Sequence, residues 1–294
     1  MQFLIQAIVN GILLGGLYGL FAIGLTLPFG VMDIPNFAHG EFIMLSMFAS
    51  YWLWALYGID PMIYLMIAIP LFFAIGVLIE RVILRRLFNI RAPTPSVLLC
   101  LAGLSMFLMS FALFNWGVTW YTLNVSYREV TLRMGDIIIG MPNLLSFIGA
   151  VVLALSVMVF LNKTFIGKAL RATFQNRDAA TLMGIDYRRM YSICFGLGVA
   201  LAGAAGPFLA TFYVVFPTVG GPFTMIAFVV VVLGTLGDPR GAFLGGMIIG
   251  IVESVITQVS SSDVAWIAIF VIFVLLLMFK PEGLFGKRVV GVVR

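Results

Sequence analysis

The chain has 294 residues, 62% hydrophobic and 10% charged, with a formal net charge of +5. Its mean hydropathy of +1.14 excludes an ordinary water-soluble domain, whose apolar share is roughly 45–50%. Hydrocarbon offers backbone groups no water, so such a chain spans a bilayer as helices or as a closed barrel. A barrel needs stretches of about ten residues in strict alternation. This sequence instead has continuous apolar runs near the ~20 residues of a crossing helix. It reads as an all-α polytopic membrane protein, with 1–294 forming one transmembrane domain.

Nine apolar segments follow in chain order: 6–28, 39–57, 61–80, 93–115, 143–162, 191–213, 222–237, 241–258 and 264–279. No Lys or Arg precedes Arg81, so the first segment lacks the basic leader of a cleavable signal peptide. The seventh and eighth are short and joined only by Gly237-Asp238-Pro239-Arg240. They form two full spans or one broken hairpin, which gives about 8–9 transmembrane helices. Gly11, Gly15 and Gly19 share one helix face, as do Gly237, Gly241 and Gly245, with Gly246 and Gly250 as a further pair. Small residues at this spacing let helix backbones approach where lipid supplies no hydrophobic drive. Cys100 and Cys194 lie inside apolar runs and read as packing residues.

Strict alternation places loops 81–92, 163–190, 238–240 and 280–294 on one side, with 4, 6, 1 and 4 basic residues. The other side holds only Arg128 and Arg133. That bias marks the rich side as cytoplasmic. The N-terminus is then outside and the C-terminus inside. It also accounts for the pI of 9.4 without a nucleic-acid partner.

Polar groups at membrane depth are costly and therefore candidates for function. Asn36, His39 and Glu41 fall in "NFAHGEF", at the expected cytoplasmic end of the second segment, where Asn36 or a neighbour could cap the helix and Glu41 suits its dipole. These three and Glu253, which has Ser254, Thr257 and Gln258 beside it, are candidates for a pathway or gate. No phosphate loop, catalytic triad, zinc spacing or paired-carboxylate site is present, so neither catalytic nor metal residues are expected. The chain reads as a conduit that another component drives.

The 163–190 loop is the exception to this apolar plan. Its stretch "GKALRATFQNRDAATLMGI" favours helix, with Asn176 or Asp178 as a cap and Gly184 as a C-terminal stop. Ala179 and Ala180 leave one face bare, Leu182 and Met183 add apolar contacts, and Arg171, Arg177, Arg188 and Arg189 ring them with charge. Such a helix suits docking into a groove on another protein.

Asp-Ala-Ala-x-x-x-Gly at 178–184 resembles the coupling-loop pattern E-A-A-x-x-x-G of ATP-binding-cassette importer permeases, with Asp in place of Glu. "RATFQNRDAATLMGI" is similar to the form in permeases of branched-chain amino acid importers. "NGILLGGLYGLFAIGLTLPFGVMDIPNFAHGEF", "VLGTLGDPRGAFLGGMIIGIVE" and "FKPEGLFGK" resemble that family's other blocks, in the same order, with Lys280 where Arg is commoner. The resemblance covers nearly the whole chain and matches the shorter of the family's two permease types.

The resemblance implies a type II-like permease bundle in the bacterial inner membrane. It pairs with a second, often non-identical permease, two cytoplasmic ATPases and a periplasmic substrate-binding protein. Arg171, Asn176, Asp178, Ala179, Ala180, Met183 and Gly184 would contact the ATPase. ATP and Mg would bind in that partner, and this chain would hold no cofactor and be no enzyme. Substrates of the family include leucine, isoleucine and valine; relatives carry urea or short amides. Secondary transporters and channel-like facilitators share the spans but not the loop. An accessibility tag at residue 125 is expected to react with an impermeant reagent in intact cells, and one at residue 175 only after permeabilisation. Reaction at 175 in intact cells would reverse the orientation.

Overall fold

A computed structural model describes residues 2–88, 93–135, 137–280 and 282–286. The described residues form eleven helices. They are α1 (Gln2–Met32), α2 (His39–Tyr57), α3 (Pro61–Leu87), α4 (Pro93–Trp116), α5 (Met141–Lys163), α6 (Phe165–Gln175), α7 (Arg177–Leu182), α8 (Tyr187–Ala210), α9 (Gly220–Gly234), α10 (Pro239–Val259) and α11 (Ser262–Phe279). All nine apolar segments are helical. Polar caps rather than hydropathy set several of their starts. Asp60 accepts from the Met62 N–H at 2.8 Å, Asp186 from Arg188 at 3.0 Å, and Asp238 from Arg240 at 3.0 Å. The eighth segment therefore begins at Pro239, earlier than hydropathy suggests. Within the 116–142 loop a short antiparallel hairpin pairs β1 (Thr131–Met134) with β2 (Ile137–Gly140), an addition to the all-α expectation.

Seven helices are long and apolar enough to cross a membrane: α1, α3, α4, α5, α8, α10 and α11. The other two, α2 and α9, account for the count of 8–9, because they start inside the protein. His39 Nε2 donates to the Phe21 carbonyl at 2.8 Å. Phe21 stands eleven residues before the end of α1 at Met32, which is about 16 Å at 1.5 Å per residue. Residues 33–38 thus climb back into the core before α2 begins. "NFAHGEF" does not lie at the cytoplasmic end of its segment, as the sequence suggested; it lies near mid-depth. Hydropathy could not show this, because an irregular backbone is permitted at depth only where protein wraps it. Residues 211–219 make the complementary descent. Gly40 N–H donates to Thr224 Oγ1 of α9 at 2.9 Å, so the first turns of α2 and α9 abut and the helices run apart to opposite faces.

Those faces sort the loops as alternation requires. One carries the start of α1, where Gln6 Nε2 donates to Ile138 O at 2.7 Å, and the pair Tyr121–Val215. On the other, Gly237 N–H donates to Thr26 Oγ1 at 2.9 Å and Leu284 N–H to Leu233 O at 2.8 Å. Arg91, Pro281 and residues 287–294, including the last three basic positions, lie outside the described residues.

α1 and α8 form the centre, with 72% and 89% of their apolar windows buried, against 17% for α4 and α11. The glycine repeats explain how. A Cβ on Gly15 would sit 2.7 Å from Met247 Cα, and one on Gly246 would sit 2.9 Å from Gly15 O. Gly11 and Gly250 meet in the same seam, while Gly241 and Gly245 face Gly234 of α9. These are contacts within one chain. Gly237 is no part of the stripe; it occupies the α9–α10 turn at φ 80°.

Gly246→Leu should destabilise the protein by about 1–3 kcal/mol, since the clash is with backbone that cannot relax by changing rotamer. Gly103→Ala, which meets nothing within 4 Å, should not. The fraction remaining monodisperse in detergent after heating measures both. Equal heat resistance of the two variants would remove the seam from the account.

Candidate functional site

The 163–190 loop folds as two helices. Thr164 Oγ1 accepts from Gly167 N–H at 3.0 Å and starts α6; Asn176 Oδ1 accepts from Ala179 N–H at 2.9 Å and starts α7. Gly184 follows α7 at φ 83°, the left-handed stop expected of it. Gly184 N–H donates to Thr181 O at 3.0 Å and Ile185 N–H to Ala180 O at 3.0 Å, so the end of α7 is closed by its own backbone.

Two anchors hold this pair on the bundle. Phe174 of α6 enters a notch between Gly30 of α1 and Gly237; Cβ atoms there would lie 3.5 Å and 2.6 Å from its ring. Arg177 of α7 stacks over Tyr187 of α8, 5.1 Å from the ring centroid, and bonds the Tyr191 hydroxyl. That bond raises the guanidinium pKa above the usual arginine value. Ala180 is 4% exposed. The bare docking face expected of Ala179 and Ala180 is therefore split, with Ala180 turned inward because α7 needs a small residue against its own chain. Ala179, Leu182 and Met183 point outward, the last two 89% and 83% exposed. Asp178 is exposed and pairs with Arg177 at 3.6 Å, and Arg171 Nη1 donates to Asn162 Oδ1 at 2.5 Å. A cavity of about 390 Å³ lies behind α6, between Arg171, Phe174, Asp238 and Arg240.

The membrane-depth candidates separate into two groups. Asn36, His39 and Glu41 come together and are 1%, 0% and 2% exposed. Asn36 Oδ1 accepts from Ala38 N–H at 3.1 Å, a turn that closes the re-entrant stretch just before α2. Glu41 accepts from Ser105 Oγ of α4 at 3.4 Å, and Gly220 packs on its carboxylate. One carboxylate thus stands at the positive ends of both α2 and α9. These three residues line neither the cavity behind α6 nor the one around Glu253. Glu253 lies elsewhere, on α10 near the hairpin face, in a cavity of about 360 Å³ that it shares with Asn10, Asn143, Tyr213, Thr257 and Gln258.

Sequence reasoning missed Glu80 and Tyr18. Glu80 is 1% exposed at a π-helical turn of α3; it accepts from Ser192 Oγ of α8 and pairs with Arg85 at 3.6 Å. A glutamate inside "GVLIERVIL" was the available signal. Tyr18 is fully buried and interacts with Tyr213 and Glu253. Nothing in a run of apolar residues distinguishes it in advance.

A model of the permease component of branched-chain amino acid transport systems matches residues 7–279. The high-affinity branched-chain amino acid transport system permease protein LivH of Salmonella typhimurium is 31% identical, over 97% of this chain and 97% of its own length. The corresponding protein BraD of Pseudomonas aeruginosa is 29% identical, over 96% of each chain. A probable branched-chain amino acid transport permease of Methanocaldococcus jannaschii is 27% identical, over 94% of this chain and 91% of its own. No solved structure matches. By these matches over nearly its whole length, the chain belongs to the permease components of branched-chain amino acid transport systems.

Proposed function

We propose that the chain is one permease subunit of an ATP-driven importer of leucine, isoleucine, valine or closely related amino acids. It works in a bacterial inner membrane, with the α6–α7 face and the C-terminus in the cytoplasm. The 15-to-2 split of basic residues between the faces supports this orientation. Two cytoplasmic ATPases, which hold ATP and Mg, drive it; a second, non-identical permease completes the path, and a periplasmic binding protein delivers substrate. This chain supplies no catalytic group and no cofactor.

The observation that carries the reading is α7. It is capped at both ends, fastened to α8 through Arg177 and seated by the buried Ala180, yet it presents Leu182 and Met183 almost fully to the outside. Large apolar side chains on a rigid, polar-rimmed helix are anchors for a groove on another protein. Arg171, Asn176, Asp178, Ala179, Ala180, Met183 and Gly184 then divide by role. Asn176 and Gly184 shape the helix, Ala180 seats it, and Ala179, Met183, Asp178 and Arg171 offer the contact surface.

The double variant Leu182→Glu, Met183→Glu should release the ATPase on co-purification and cut ATP-driven uptake at least tenfold. Truncation at a docking centre costs ~2 kcal/mol or more. Gly184→Pro should do the same by breaking the stop, because proline cannot reach positive φ. Both variants should insert normally, since neither touches a span. Normal uptake with the ATPase retained would reduce the loop to a topology signal. ATP turnover by the purified chain, free of ATPase contaminants, would contradict the division of labour.

A further inference from the structure

We infer that the Glu253 cavity is the entry site for the transported amino acid itself, with Glu253 as the counter-charge of its ammonium group. The inference rests on the importer reading above and adds the residue that recognises the zwitterion. The cavity, about 360 Å³, falls in the roughly 300–1,000 Å³ range of small-molecule sites. It opens on the hairpin face, the side from which a binding protein would deliver substrate.

Glu253 stands in the outer half of α10, and its Oε2 is buried without a hydrogen-bond partner. Tyr18 and Tyr213 approach the carboxyl group, but among the described residues Glu253 forms no ion pair; the two that occur are Arg85–Glu80 and Arg177–Asp178. Withdrawing a carboxylate from water without a cation is costly, several kcal/mol in real proteins. A cationic ammonium group offsets that cost by charge and hydrogen bond together; a sugar hydroxyl or a neutral amide offers the hydrogen bond alone, and an anion neither.

The rest of the lining fits the remainder of an aliphatic amino acid. Thr257 lies one helical turn beyond Glu253, on the same face of α10. Asn143, which also lines the cavity, belongs to the first turn of α5, a helix start whose cap, Gly140, offers no side chain. The positive end of that helix favours an anion. Asn10 Oδ1 already accepts from Gln6 Nε2 at 3.1 Å, which leaves the Asn10 NH₂ as a donor for a carboxylate. Leu13, Leu14 and Phe212 supply an apolar wall. The lining thus offers a carboxyl group for an ammonium group, amide donors beside a helix start for a carboxylate, and apolar side chains for an alkyl group.

The test uses the complete importer in proteoliposomes, with leucine-loaded binding protein outside and ATP inside. Glu253→Gln should lower leucine uptake at least tenfold, while Glu253→Asp, which keeps the charge, should recover most of it. A second measurement places Thr257→Cys in a chain carrying Cys100→Ser and Cys194→Ala, and follows its labelling by an impermeant thiol reagent. Millimolar leucine should slow that labelling, and should fail to do so once Glu253→Gln is added. Uptake by Glu253→Gln at the unmodified rate, or labelling indifferent to leucine with Glu253 intact, would overturn the assignment. Failure of the unmodified complex to import any aliphatic amino acid would sink the importer reading and this inference with it. That failure is visible before any variant is made.

Discussion

Direct backbone contact between α1 and α10 is the constraint on which the rest of the bundle depends. Lipid tails are as apolar as leucine, so burying leucine gives two membrane helices little reason to associate. Close approach does, because dispersion contacts accumulate when no side chain holds the backbones apart. Gly11, Gly15 and Gly19 on α1, with Gly246 and Gly250 on α10, produce that approach. Gly241 and Gly245 extend it to α9, while Gly24 and Gly198 bring α1 equally close to α8, a Cβ on Gly24 lying 2.8 Å from Gly198 O. Helices without a glycine in such contact, α4 and α11 among them, stay at the periphery.

A tightly packed centre is also what permits two helices to begin inside it. The stretches before α2 and α9 expose backbone groups that hydrocarbon could not satisfy, and neighbouring protein groups satisfy them. Asn36 Oδ1 accepts from the Ala38 N–H, Thr224 Oγ1 accepts from the Gly40 N–H at the start of α2, and Val215 pairs its backbone with Tyr121. Two positive helix ends at mid-depth would still repel each other. Glu41, in the first turn of α2 and against Gly220, lies between them. The cluster that in sequence suited a helix cap or a gate thus sits, in this geometry, where the starts of α2 and α9 meet.

Much of this was legible in the sequence, and the failures have specific causes. Segment positions follow from hydropathy because the bilayer imposes length. The limits of α7 follow from Asn176 and Gly184, because capping is local chemistry. The depth of Asn36, His39 and Glu41 was not legible, since re-entry depends on α1, α8 and α9 enclosing the chain and leaves no periodic trace. Ala180 was misplaced for a related reason. Two adjacent alanines look equivalent in sequence, but on a helix they point about 100° apart, and only the seat of α7 on α8 decides which one is buried. Gly237 fitted the glycine stripe by spacing alone; Asp238 and Pro239 end that register, because a capped helix starts there.

The placement of these pieces along α10 ties the two ends of the molecule together. The helix begins beside Gly237, where Phe174 of α6 is wedged against Gly30. It ends on the far face, with Glu253 fourteen residues beyond Pro239, about 21 Å along the axis. Close-packed interiors transmit displacement instead of absorbing it. Arg177 ties α7 to α8, and Phe174 ties α6 to the α9–α10 turn. The glycines that draw α10 onto α1 and α9 therefore make it the rigid element that joins the α6–α7 face to the Glu253 cavity.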